Sequence, residues 1–105
     1  MSGVEKVTLN ENLSNFEGKL ITIHQQDVMS CALDILTDMV KNKTVTLRAS
    51  GESIPTAVAV ANIVTENMMK GNSKILDIIV DSEETHEKTG PTLVSIIKIT
   101  ITRTN

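Results

Sequence analysis

VTLRASGESIPTAVAVANIVTENMM, residues 45–69, places a strand, a tight turn and a helix in one short stretch of chain. Val45, Thr46 and Leu47 favour the extended pleat, where β-branched and aliphatic side chains pack well. Ser50-Gly51 breaks that run, and the fixed φ of Pro55 suits the first turn of a helix. Ile54, Ala57, Val58, Ala61, Val64 and Met68 then recur at three- and four-residue spacing, which predicts one apolar helical face. Lys70-Gly71-Asn72 is a stop signal for that helix.

Working outward, Lys19-Leu20-Ile21-Thr22-Ile23 reads as a first strand. His24-Gln25-Gln26-Asp27 turns into a helix over Val28 to Lys41, with Asp27 as N-cap and Lys41 suited to the C-terminal end. Val28, Ala32, Ile35, Leu36, Met39 and Val40 are expected on its buried face, with Asp34, Thr37 and Asp38 outside. Asn42-Lys43 leads into a strand from Thr44 to Ala49. Ile75 to Asp81 forms a third strand, Asp81 to Thr92 is a charged stretch with its return at Gly90-Pro91, and Leu93 to Thr102 forms the last strand. There Ile97, Ile99 and Ile101 alternate with Lys98, Thr100 and Thr102, as in a half-buried strand.

The order β-α-β-α-β-β predicts an α/β chain of the two-layer α+β sandwich type. Two right-handed crossovers and a terminal β3–β4 hairpin give a four-stranded mixed sheet with both helices on one face. Residues 1–18 are polar and mixed and read as a flexible N-terminal arm, packed locally through Phe16 at most. Residues 19–105 form the single domain.

Composition narrows the function. Phe16 is the only aromatic residue, so the core must be aliphatic, and modules that stack bases on exposed rings are excluded. A net charge of −3 runs against the basic stripe of most nucleic-acid binders, although charge acts locally. Single Cys31 has no internal disulfide partner and reads as a small core residue in an intracellular protein, cytoplasmic or nuclear. No apolar run approaches the roughly 18 residues of a membrane span, and the N-terminus lacks a secretory core. His24 and His86 have no Cys, His or carboxylate at metal-ligand spacing, and no phosphate loop, dinucleotide glycine pattern or nucleophile elbow is present. Neither an enzyme, a metal nor a cofactor is expected.

The strand, the turn Ala49-Ser50-Gly51-Glu52-Ser53-Ile54 and the Ala-Val-rich helix resemble the same region of the Alba family of nucleic-acid-binding proteins. The resemblance runs from about Lys19 to Arg103 and is strongest in the middle. It implies three binding elements: the loop before the first helix, the turn before the second, and the hairpin arm. In the first loop the family carries a Gly-Lys-Lys-Pro-like run before Val-Met. Val28-Met29 matches, but Gln25 and Gln26 occupy the paired-lysine positions. Glutamine can donate to a phosphate oxygen but releases no counterions. In the second turn Arg48 keeps the first basic position, whereas Ser50 and Glu52 replace two arginines around Gly51. The arm offers only His86 and Lys88 among Asp81, Glu83, Glu84 and Glu87. Each position has a plainer reading: a polar capping loop, an arginine paired with a nearby acid, a positive-φ turn and a solvated loop.

The resemblance further implies a dimer, with Met68 standing where some members place an aromatic residue that joins one dimer to the next. The leading function is binding of DNA or RNA through backbone contacts with little sequence specificity. RNA or RNA–DNA hybrid is favoured over chromatin-like duplex compaction, because the pared-down basic surface is similar to that of eukaryotic-type members, which often serve RNA. Those relatives include small subunits of ribonucleases P and MRP, which implies a partner-dependent variant. The alternative is a protein-interaction or heterodimer module that keeps the dimer-forming fold, pairs with a more basic paralogue or another protein, and has lost most direct nucleic-acid binding. The dimer itself is a homodimer or a heterodimer with a more basic paralogue.

Overall fold

The computed structural model describes residues 18–87 and 89–105. Four strands and two helices follow one another as β1 (Lys19–Thr22), α1 (Val28–Lys41), β2 (Thr44–Ser50), α2 (Ile54–Ile63), β3 (Ser73–Glu87) and β4 (Gly90–Arg103). Across the sheet the order is β1-β2-β4-β3, with β1 parallel to β2 and the other two pairs antiparallel. This is the mixed sheet and β3–β4 hairpin expected from the sequence. Residues 1–17, which carry the expected arm and Phe16, lie outside the described residues.

The core lies between the helices and one face of the sheet. Val45, Leu47 and Ala49 from β2 and Ile97, Ile99 and Ile101 from β4 meet Cys31, Ala32, Ile35 and Met39 of α1 and Ala57, Val60 and Ala61 of α2. Alanines on α2 let its backbone approach the sheet closely, and aliphatic branches fill the remaining space. Truncating a fully buried member such as Ile35 to Ala leaves a cavity that costs about 2–5 kcal/mol. The opposite face of the sheet carries hydroxyls instead. Thr44 and Thr102, and Thr46 and Thr100, form cross-strand Oγ1–Oγ1 hydrogen bonds of 3.0 Å each.

Local boundaries follow the expected chemistry. Asp27 caps α1, its Oδ2 accepting the Ser30 N–H at 2.9 Å. At the other end Asn42 donates both its backbone N–H and its side-chain amide to the Asp38 carbonyl. Gly51 has φ of +56° and Gly71 has φ of +83°, left-handed values that favour glycine at both turns.

Four expectations need correction. Val40 is 74% exposed, because it lies about 100° round α1 from the buried Met39. Val58 is 39% exposed for the same angular reason, and Val60 takes its place in the core. The second helix does not remain α-helical to Met68: Val64–Met68 widens into a π turn, closed by Met69 N–H to the Val64 carbonyl at 2.8 Å. Finally, the strand bounds Ile75–Asp81 and Leu93–Thr102 are too short, although the hairpin arm that the resemblance implies is present. Pairing continues through Ser82↔Ser95 and Thr85↔Thr92 to Glu87↔Gly90, so the charged stretch is a two-stranded arm.

Candidate nucleic-acid interface

The sheet register brings the separate sequence elements to one end of the molecule. Because β1 and β2 are parallel, Thr22 stands beside Arg48, and the Ile23 N–H bonds to the Arg48 carbonyl at 2.8 Å. The loop 24–26 and the turn at Ser50-Gly51 therefore leave the sheet side by side, each running into a helix N-terminus. Since β4 is antiparallel to β2, Ser50 also faces Ile96, which faces Asp81 on β3. The arm thus leaves from the same end. A methyl group built on Gly51 would come within 3.8 Å of Val94 Cγ1, which places the turn against the root of the arm. Two helix starts at one edge favour a negative ligand.

Individual side chains are less committed to an anion. The Gln26 Oε1 accepts the His24 N–H at 2.9 Å, so this side chain braces its own loop, while Gln25 is exposed. Asp27 points its carboxylate into the α1 cap; the backbone N–H and hydroxyl of Ser30 hold its pKa below the ordinary carboxylate value. Ser50 is half-buried at the end of β2 and makes no capping bond. His86 is exposed on the arm opposite Pro91, and Lys88 lies outside the described residues. Met68 is half-buried and packs against the chain's own core.

Arg48 lies on the open face, with its Nη2 3.3 Å from Glu83 Oε2. Directly across the ladder is Lys98, exposed and absent from the sequence-derived set. Its alternation with Ile97 and Ile99 marked it as a wet-face residue, but only the β2–β4 register makes it Arg48's neighbour. Arg48, Lys98, Ile79, Asp81, Glu83 and Ile96 line a cleft of about 70 Å³, room for a few waters. That is far below the roughly 300–1,000 Å³ of a small-molecule pocket. Among the described residues no group of three or more His, Cys, Asp or Glu is placed to hold a metal. Cys31 is buried, and desolvation, with a smaller effect from Asp34, pushes its thiol pKa up, so it stays protonated and unreactive.

A second surface runs along β3. Leu76, Ile78 and Val80 are exposed, as is Leu93 on β4, and Val80 and Leu93 are 73% and 74% accessible. Ile78 and Val80 pair with Ile99 and Ile97 and so share the helix-bearing face, beside α2. A register shift between Ile75 and Asp77 marks a bulge at Leu76. A long apolar edge strand of this kind either aggregates or is covered by a partner.

Comparison with known proteins agrees with this geometry. A family model described as Alba matches residues 19–82. The solved structure of Alba from Thermoplasma volcanium superposes with a TM-score of 0.71 at 29% identity, covering 80% of this chain and 99% of that one. No curated protein matches. None of the described helices is long and apolar enough to cross a membrane.

Proposed function

Because the chain belongs to the Alba family, we propose that it binds the backbone of DNA or RNA at the end of the sheet where the two helices begin. The observation that carries this reading is convergence: the 24–26 loop, the Ser50-Gly51 turn, Arg48 with Lys98, and the hairpin arm all share that end. Gln25, Gln26, Ser50 and the Gly51 N–H supply neutral donors, Arg48 and Lys98 supply charge, His86 extends the surface along the arm, and Lys88, outside the described residues, is a further candidate contact. Neutral donors to phosphate give positioning without base selection, hence little sequence specificity. RNA or an RNA–DNA hybrid is the favoured ligand, in the cytoplasm or nucleus.

The functional unit in this reading is a dimer, formed over the apolar flank of β3 and α2, with Met68 available to a second dimer. The test is titration of labelled RNA, hybrid and duplex DNA with the pure protein at two salt concentrations. Binding that weakens steeply with salt supports a phosphate-binding surface. Absence of binding at low salt sinks it.

A second reading draws on a different observation. Arg48 is already paired with Glu83, and the arm carries Asp81, Glu83 and Glu84. A homodimer would repeat that acidity, whereas a more basic paralogue would supply the missing cations on its half of a composite surface. Rescue of weak binding by such a partner separates this interaction-module reading from the first.

A further inference from the structure

The chain's cations have collected at the opposite end of the sheet. Lys41 closes α1, Lys43 precedes β2, Lys70 lies in the turn after the second helix, Lys74 opens β3 and Arg103 closes β4. Sheet pairing brings Lys43, Lys74 and Arg103 to one end, with Lys74 on the hydroxyl-bearing face beside Thr102 and Arg103 alternating to the other. The Arg103 N–H bonds to the Lys43 carbonyl at 3.0 Å, Ser73 faces Arg103, and Lys74 faces Thr102, itself paired with Thr44. Beside them the Thr104 N–H bonds to the Asn72 carbonyl at 3.0 Å, fixing the turn that carries Lys70.

The four lysines are exposed, and among the described residues none of the five cations forms an ion pair. Three acids lie near: Asp38 is taken by Lys19 at 3.0 Å, Glu66 stands one turn before Lys70, and Asp77 lies one pleat from Lys74 on the same face of β3. The far end differs in sign, because Asp27, Glu52, Asp81, Glu83 and Glu84 there surround only Arg48 and Lys98 among the described residues.

Helix-end stabilisation accounts for part of this. Lysines near helix C-termini are favoured by the helix dipole, which explains Lys41 and Lys70. It does not explain Lys43, Lys74 and Arg103, which stand on or beside strands. Nor are the lysines needed to cap α1, whose Asp38 carbonyl is already served twice by Asn42. Arg103 is half-buried, with its Nε–H enclosed and without a hydrogen-bond partner among the described residues.

We propose that this end is a second polyanion site, which takes the phosphate backbone of a nucleic acid through Lys41, Lys43, Lys70, Lys74 and Arg103. The cations sit among Asn42, Gly71, Asn72 and Thr104, and among the described residues there is no aromatic anchor of the kind that dominates protein interfaces. A charged surface without such an anchor suits a repeating phosphate chain, where counterion release drives association. Net acidity of the chain is then no obstacle, because its two signs are separated along the sheet.

The test is anisotropy of a labelled oligouridine, titrated across salt with the full chain. Three proteins are compared: wild type, Lys43→Gln/Lys70→Gln/Lys74→Gln, and Arg48→Gln/Lys98→Gln. Circular dichroism and the unfolding midpoint confirm that both variants fold. The first variant is expected to lose about tenfold or more in low-salt affinity. Its slope of log affinity against log salt should flatten by about 2, from three contacts at about 0.7 each. Loss in both variants supports contact at both ends. If the first variant binds as wild type while the second fails, this site is overturned and the arm-end reading stands. If wild type does not bind, both are overturned. Polyglutamate competing as well as RNA would overturn the assignment to nucleic acid.

Discussion

Arg48 Nη2 stands 3.3 Å from Glu83 Oε2, so the one arginine at the arm end among the described residues is held by the arm's own acid. Both groups remain partly open to solvent, and an exposed pair of this type is worth no more than about 1 kcal/mol. The contact is thus a competitor that a phosphate can displace at small cost. Replacing Glu83 with Gln should free the guanidinium and tighten RNA binding about two- to fivefold at low salt. Tighter binding that vanishes in Glu83→Gln/Arg48→Gln locates the effect on this pair. Unchanged affinity in Glu83→Gln would show that Arg48 does not touch the ligand.

The apolar flank makes a separate prediction about assembly. Ile78 and Val80 are exposed on the face of β3 that neighbours α2, too much aliphatic surface for a lone edge strand. Val80→Asp should convert a dimer to a monomer in light scattering, while Val80→Ala should keep the dimer with a weaker dissociation constant. A wild-type chain that is monomeric at tens of micromolar would remove the dimer from the proposed function.

How much of this was legible beforehand depends on whether the signal was local. Asp27 and Lys41 bracket α1, and the helix has those bounds because capping and periodicity act over a few residues. Periodicity does not say how wide the covered stripe is, which is why Val40 and Val58 were expected inside. The extent of the arm's pairing was hidden because Asp81, Glu83 and Glu84 read as solvent-loving loop, whereas Thr85, Thr92 and the turn at Gly90 allow pairing that exposes those acids along a ladder. Lys98 beside Arg48, and Lys43 beside Arg103, are pairings of residues far apart in sequence. No window of residues contains either of them, and the separation of charge between the two ends exists only after the sheet has formed.

Gly51 should be intolerant of side chains for reasons of conformation rather than room. Its φ is +56°, and the nearest atom to an added methyl group is Val94 Cγ1 at 3.8 Å, an ordinary contact. Gly51→Ala should therefore cost about 1–2 kcal/mol, the usual penalty for a left-handed residue with a Cβ. Chemical denaturation measures it. A neutral result would mean that the turn relaxes, and the loss of RNA affinity expected from a shifted turn N–H would be absent too.

Cys31 should behave as a core residue. Its burial raises the thiol pKa, so the thiolate is scarce at neutral pH as well as inaccessible. Ellman's reagent should react at a rate set by unfolding and become fast in denaturant. Rapid modification of the native protein at pH 7 would contradict the buried position of α1.

Asp27 gives the acid limb of stability a defined sign. Hydrogen bonds from Ser30 lower its pKa in the folded chain, relative to about 3.9 in the unfolded one. A depressed carboxylate contributes stability that is full above the unfolded value and is lost as pH falls through the folded value. Wild type should therefore exceed Asp27→Asn in unfolding temperature at neutral pH, with the gap closing below about pH 4. Asn still caps a helix, so the variant isolates charge from hydrogen bonding. A gap that stays constant through the acid range would mean that the Asp27 carboxylate gains nothing from the helix start, and the cap would owe its effect to geometry alone.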